Sequence, residues 1–230
     1  KIFESEPGNV VVPNENLKPE YAYNVDMGVQ KDFSEVATVS LTGFYTLLNN
    51  AIVRRDFTFN GADSILYEGE MSNVLAMVNT DKATLYGFNG SIIINLPIDF
   101  KFETTINYTH GEDQDGVPMR HAGPWFGSTR LSYIKNNLKA SFYANYNGKI
   151  SYKNLPPSEQ EKSTIYATDK NGNPYSPSWY TLNFLASYNF KFGVTINAGV
   201  ENILDVRYRP YSSGIVSPGR NFIIGLRANF

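Results

Sequence analysis

The side chains in this sequence that are able to do acid–base or metal chemistry are few and scattered. There are two histidines, His110 and His121; the first ends an alternating segment and the second sits in Met119-Arg120-His121-Ala122-Gly123-Pro124. A metal centre needs several His, Asp or Glu side chains converging on one point. Two solvated residues near loop ends are the plain reading, so no metal and no cofactor are expected. The sharper reading places Arg120 and His121 at an open vestibule, in contact with an anionic or metal-chelate ligand. Glu112, Asp113 and Asp115 lie beside Gly111 and Gly116 and offer hard oxygen ligands at the close spacing a Ca²⁺ loop uses. No closing Glu completes that pattern, which leaves a solvated loop tip. Glu159 and Glu161, followed by Lys162, read as a mixed charge run in a loop.

Nucleophilic chemistry has even less support. Cysteine is absent, so there is no thiol nucleophile, thiolate metal site or disulfide framework. No glycine-rich phosphate cradle and no nucleophile elbow occur, and no convergent Ser, His and acid set can be assembled. An enzyme is not expected. Recognition chemistry fares better. Arg207, Tyr208 and Arg209, with Tyr211 close by, combine forked donors and aromatic faces that suit anionic or planar ligands. The competing reading has them locking the base of a loop. Tyr175, in another long link, is a further candidate contact.

The elements that must position these residues are strands. Lys plus Arg number 20 and Asp plus Glu 22, a net charge of -2, which argues against a nucleic-acid partner. The 16 Tyr, 15 Phe and 18 Gly favour strands joined by turns. No apolar run of about 18 residues is present, so no helix crosses a membrane. A barrel strand shows only alternate apolar residues, and the mean hydropathy of -0.31 is compatible with that. The chain opens Lys1-Ile2-Phe3-Glu4 without a signal peptide, so an exported protein would have a cleaved signal or would be read here from an internal point.

Period-two alternation recurs from end to end. Phe222, Ile224, Leu226, Ala228 and Phe230 alternate with Asn221, Gly225, Arg227 and Asn229, Ile223 being the intruder. Tyr180, Leu182, Phe184, Ala186 and Tyr188 are set against Thr181, Asn183, Ser187 and Asn189, with Leu185 out of phase. Val194 to Val200 and Tyr21 to Val29 repeat the pattern, and similar strands are expected at roughly 37–54, 83–97, 100–111, 125–135 and 138–149, about nine in all.

Three features bear on which face is inside. Short links at Lys31–Glu35, Pro97–Asp99, Lys135–Asn137 and around Phe190–Phe192 alternate with long ones at about 56–82, 111–124, 150–178 and 206–219, the asymmetry of outer-membrane barrels. The polar face carries Lys101, Glu103, Arg130, Lys139, Glu201 and Arg227, costly in a dry core but tolerable in a wetted lumen. Tyr21, Phe102, Tyr108, Phe126, Tyr133, Tyr146, Tyr180, Phe190 and Phe230 sit near strand ends, where a membrane barrel has aromatic girdles. Phe222, Ile224, Leu226 and Phe230 are therefore expected to face lipid.

Gly199-Val200-Glu201-Asn202-Ile203-Leu204-Asp205, followed by Arg207-Tyr208-Arg209, resembles the penultimate-strand box of TonB-dependent receptors. Pro218-Gly219-Arg220-Asn221-Phe222 and the alternating run to Phe230 are similar to that family's last strand. Asn16-Leu17-Lys18-Pro19-Glu20, Gly43-Phe44-Tyr45 and Asn50-Ala51-Ile52 look like mid-barrel entries. The resemblance implies an all-β fold, an antiparallel meander forming part of a transmembrane outer-membrane β-barrel, about nine of 22 strands. Twenty-two strands in this length would leave about ten residues each and nothing for loops, and the strand count is odd where single-chain bacterial barrels are even. Residues 1–230 are thus expected to be the C-terminal part of the barrel, without the plug domain and N-terminal strands. The resemblance also implies residence in a bacterial outer membrane, uptake of a scarce nutrient such as a siderophore, haem, cobalamin or other metal chelate, and contact with TonB through the plug. It places Arg207, Tyr208 and Arg209 in a structural box, where they lock the loop base and lumen wall. The alternatives are a small passive or structural outer-membrane barrel and a soluble carbohydrate-binding β-domain.

Overall fold

The computed structural model describes residues 1–120, 122–160, 162 and 164–229. Its strands, in chain order, are β1 (Phe3–Glu6), β2 (Asn9–Val12), β3 (Tyr21–Phe33), β4 (Ala37–Asp56), β5 (Ser64–Tyr67), β6 (Glu70–Leu96) and β7 (Phe100–Asp113). They continue as β8 (Phe126–Lys135), β9 (Leu138–Asn147), β10 (Ala167–Thr168), β11 (Pro174–Tyr175), β12 (Trp179–Asn189), β13 (Val194–Glu201) and β14 (Asn221–Ala228), with one short helix, α1 (Pro157–Gln160). Nine of these, β3, β4, β6, β7, β8, β9, β12, β13 and β14, form the expected antiparallel meander in chain order.

The register shows how alternation becomes two chemically distinct faces, because directly opposed residues share a face. From Phe222 the opposed partners are Val200, Phe184, Phe142, Leu131, Phe102, Ile94, Ala37 and Phe33, one apolar side chain per strand across all nine. Phe222, Ile224 and Leu226 are 74%, 86% and 74% exposed on this face. The six charged residues Lys101, Glu103, Arg130, Lys139, Glu201 and Arg227 all fall on the other. There Arg130 lies over the Tyr143 ring at 4.2 Å, Lys101 Nζ reaches Glu103 Oε1 at 2.8 Å, and the buried hydroxyls of Ser132 and Ser141 meet at 2.9 Å.

Short connections at 34–36, 97–99, 136–137 and 190–193 alternate with long ones at 57–69, 114–125, 148–178 and 202–220. In an antiparallel meander that order sends every long link to one rim. The short turns are closed by residues that reach positive φ: Ser34 at 53°, Ile98 and Asp99 at 61° and 64°, Asn136 at 50° and Gly193 at 84°. A tight hairpin needs that left-handed backbone to match strand twist. At Ile98 a β-branched residue adopts it, which is rare.

The edges do not meet. Among the described residues of the nine-strand path, β3 pairs only with β4 and β14 only with β13, and every residue of β3 is exposed. The sheet is open.

Three expectations need correction. The link expected at 56–82 is largely strand: it holds β5 and the first part of β6, a strand of 27 residues. At about 3.3 Å per residue, the 27 residues of β6 would reach well beyond the roughly 25 Å apolar band of a membrane barrel. β2 pairs with it in parallel, Asn9 opposite Asn73 to Val12 opposite Ala76. Val10, Val12, Val74 and Ala76 form a small buried core against Phe57, Phe59, Ile65 and Tyr67. Burial from both sides replaced alternation with the continuous run Val74–Val78, and the strand signal was lost. Second, Phe126 lies on the polar face, opposed to Asn107 and Asn147, and so does not belong to an aromatic girdle. Third, Asp113 is no solvated tip. It is buried, ion-paired with Arg55, and its Oδ1 accepts the N–H groups of Asp115 and Val117 at 3.0 Å. Phe230 lies outside the described residues.

Candidate functional site

The long-link rim is where the candidate residues gather, and its construction starts at the base of link 202–220. Asn202 adopts φ 48°, a left-handed conformation that Asn tolerates. Its amide nitrogen donates to the carbonyls of Val206 (2.9 Å) and Pro218 (3.2 Å), while Oδ1 accepts from the Val206 N–H at 2.9 Å. Asp205 Oδ1 accepts the Arg220 N–H at 2.7 Å, and Arg220 Nε donates to the Ile203 carbonyl at 2.9 Å. These bonds fold the strand end back on itself and project the following Arg-Tyr-Arg stretch to one side.

Arg207, Tyr208 and Arg209 line a cavity of about 440 Å³ together with Trp179, Tyr166 and Val216. Tyr208 stacks on Trp179, the first residue of β12, with ring centroids 4.0 Å apart. Arg209 Nη1 donates to the Thr164 carbonyl at 2.9 Å, so one side of this cavity is tied to link 148–178. The Trp179 indole N–H is buried and has no acceptor among the described residues.

The other candidates divide. Arg120 lies apart from that cavity; it lines a second one of about 600 Å³ with Arg54, Lys162 and Ser212, and its Nε is 3.3 Å from Glu159 Oε1. Tyr175 lines neither; its ring is covered by Lys149 Nζ at 4.5 Å. His121 lies outside the described residues. His110 sits beside Glu112 at 3.2 Å. Among the described residues no group of three or more His, Asp or Glu is placed to hold a metal ion.

Glu159 is the residue that sequence reasoning missed. It is 0% exposed, inside the charge run expected to be solvated, and the run itself gives no sign of this. Its Oε1 accepts from Lys162 Nζ (2.9 Å) and Ser212 Oγ (3.0 Å), and its Oε2 from the Tyr166 hydroxyl at 2.5 Å. Burial pushes its carboxyl pKa up, but these hydrogen bonds and the Lys162 charge outweigh burial and hold it below the ordinary glutamate value. Burial, with the hydrogen bond to Glu159, drives the Tyr166 phenol well above the usual tyrosine range, and burial does the same to Tyr211.

The model of the family described as TonB dependent receptor-like, beta-barrel, matches residues 3–203. The chain belongs to that family. The ferric enterobactin receptor PirA of Pseudomonas aeruginosa is 26% identical over 100% of this chain and 30% of its own length. The iron-regulated outer membrane virulence protein of Vibrio cholerae is 24% identical over 97% of this chain and 33% of its own length. Among solved structures, the siderophore receptor PirA from Acinetobacter baumannii superposes with a TM-score of 0.69 at 23% identity, covering 96% of this chain and 33% of that one. The copper transporter OprC gives 0.69 at 15% identity, covering 92% and 32%. The chain thus spans about a third of the length of the relatives it matches. The match to the family model ends at Ile203, before the Arg207–Arg209 stretch and the last strand.

Proposed function

We propose that these residues form about nine of the 22 wall strands, and part of the outward rim, of a TonB-dependent transporter in a Gram-negative outer membrane. The transporter binds and imports a scarce metal chelate of the ferric siderophore kind. The observation that carries this reading is the pairing of two facts: an apolar row that crosses all nine strands, and two sheet edges that, among the described residues, do not pair with each other. An apolar face this wide is unfavourable in water, and in hydrocarbon every backbone group must be paired. Further strands must therefore complete the wall. The open edges speak equally against a small closed barrel built from these strands alone.

In this reading Phe222, Ile224 and Leu226 face lipid, and the polar face borders the lumen beside a plug domain through which TonB acts. The cavity lined by Arg207, Tyr208, Arg209 and Trp179 supplies cationic and aromatic contacts to an anionic chelate with planar rings, and Arg120 faces the neighbouring cavity. Ferric enterobactin, named for the Pseudomonas relative, is the probe to use first. Cells lacking the gene, starved of iron and complemented with the full-length protein, should recover uptake of radiolabelled iron from ferric enterobactin or another ferric siderophore only when TonB is present. Failure to take up any chelate across a siderophore and haem panel would overturn the reading.

A further inference from the structure

Glu159 takes ligands from three separate long links. Arg120 comes from link 114–125 and Ser212 from link 202–220; Lys162 and Tyr166 belong to its own link, 148–178. It is wholly buried although its short helix α1 lies at the surface rim. Neighbouring contacts run the same way: Arg209 donates to the Thr164 carbonyl, and the Tyr166 and Tyr211 rings lie 6.4 Å apart. A loop whose tip merely touches its neighbours keeps its own freedom, because exposed ion pairs are weak. A buried carboxylate whose charge is met by donors from several loops cannot lose one of them without leaving part of that charge uncompensated.

We propose that Glu159 is a positioning residue that joins links 114–125, 148–178 and 202–220 into one rigid rim element. Tyr166 is held by Glu159 and also walls the Trp179–Tyr208 cavity, so the shape of that cavity is set by a residue outside it. The joining of the links is independent of what the rim binds; only its consequence for a ligand rests on the uptake reading.

The test uses the full-length protein in lipid nanodiscs with no ligand present, so its failure would leave the uptake reading untouched. These 230 residues contain no Cys, and paired nitroxide labels are introduced at the exposed positions Asp115, Lys153 and Ile215, one per link. A control pair goes on Thr195 and Arg227, opposed across β13 and β14. Narrow inter-link distance distributions are expected in the parent protein. Glu159→Gln should widen all of them about twofold and leave the control pair unchanged. Arg120→Ala should widen only the distances to Asp115, and Ser212→Ala only those to Ile215. If Glu159→Gln fails to insert, these two single-arm variants decide. Unchanged widths in Glu159→Gln, or in both single-arm variants, would overturn the proposal.

Discussion

Tyr208 lies against Trp179 with ring planes 29° from parallel, and through this pair the link between β13 and β14 is fixed to the first residue of β12. Arg and Tyr next to one another have two readings, ligand contact and loop lock; the Tyr208–Trp179 stack and the Arg209 bond to the Thr164 carbonyl tie the stretch down, while all three side chains line one cavity. An aromatic pair contributes about 0.5–1.5 kcal/mol beyond its buried area. On the proposed uptake reading, Tyr208→Ala should weaken binding of whichever ferric chelate the full-length protein takes up by about fivefold, while Tyr208→Phe keeps the stack and most of the affinity. Equilibrium titration of both variants in outer-membrane vesicles checks this.

Asn202 holds the turn that launches link 202–220. Asn202→Ala removes three hydrogen bonds to backbone groups and leaves partly buried donors and acceptors unmet, at about 1–3 kcal/mol each. It also puts Ala at positive φ. Cleavage of the full-length protein by an added protease should move into 203–219 in this variant, with the strands intact by circular dichroism.

The nine strands were legible because each has one apolar and one polar face, which leaves a period-two trace. Lys101, Glu103, Arg130, Lys139, Glu201 and Arg227 were assigned to one face from alternation, and the register places them there. Where both faces are covered, as at Val74–Val78, the trace vanishes and strand passes for link. Glu159 was illegible for a different reason. Its burial depends on Arg120, Tyr166 and Ser212 arriving from 39, 7 and 53 residues away, and no local pattern encodes that meeting.

The Glu159 cluster should make the rim acid-sensitive. A carboxyl held below its unfolded value contributes stability that is complete above that value, about 4.3, and is lost as pH falls through the lower folded value. The groups that face it are Arg120, Lys162, Tyr166 and Tyr211. The two cations stay charged in acid, so protonation of Glu159 removes the carboxylate charge that both of them face. Protease cutting of link 148–178 should be slow and flat with pH from about 7 to 5, and should rise as the pH falls below the ordinary glutamate value. Glu159→Gln should cut fast throughout.

Faces of opposite polarity predict opposite tolerance. Ile224→Arg places a charge on the apolar face and should destabilise the barrel by about 2–4 kcal/mol if the site is near the bilayer midplane, falling toward the interfaces. Asn197→Arg, on the polar face beside Gly225, should cost well under about 1 kcal/mol. Reversible unfolding of the full-length protein from vesicles measures both.

The most direct test is a nitroxide scan of Asn221 to Ala228 in the full-length protein in lipid bilayers, reading accessibility to membrane-dissolved oxygen and to a water-soluble nickel complex. Oxygen access should peak at Phe222, Ile224 and Leu226 and fall at Asn221, Ile223, Gly225 and Arg227, with a period of two residues that follows the observed register. A flat profile, or high nickel access at Phe222, Ile224 and Leu226, would contradict a wall strand with its apolar face in lipid.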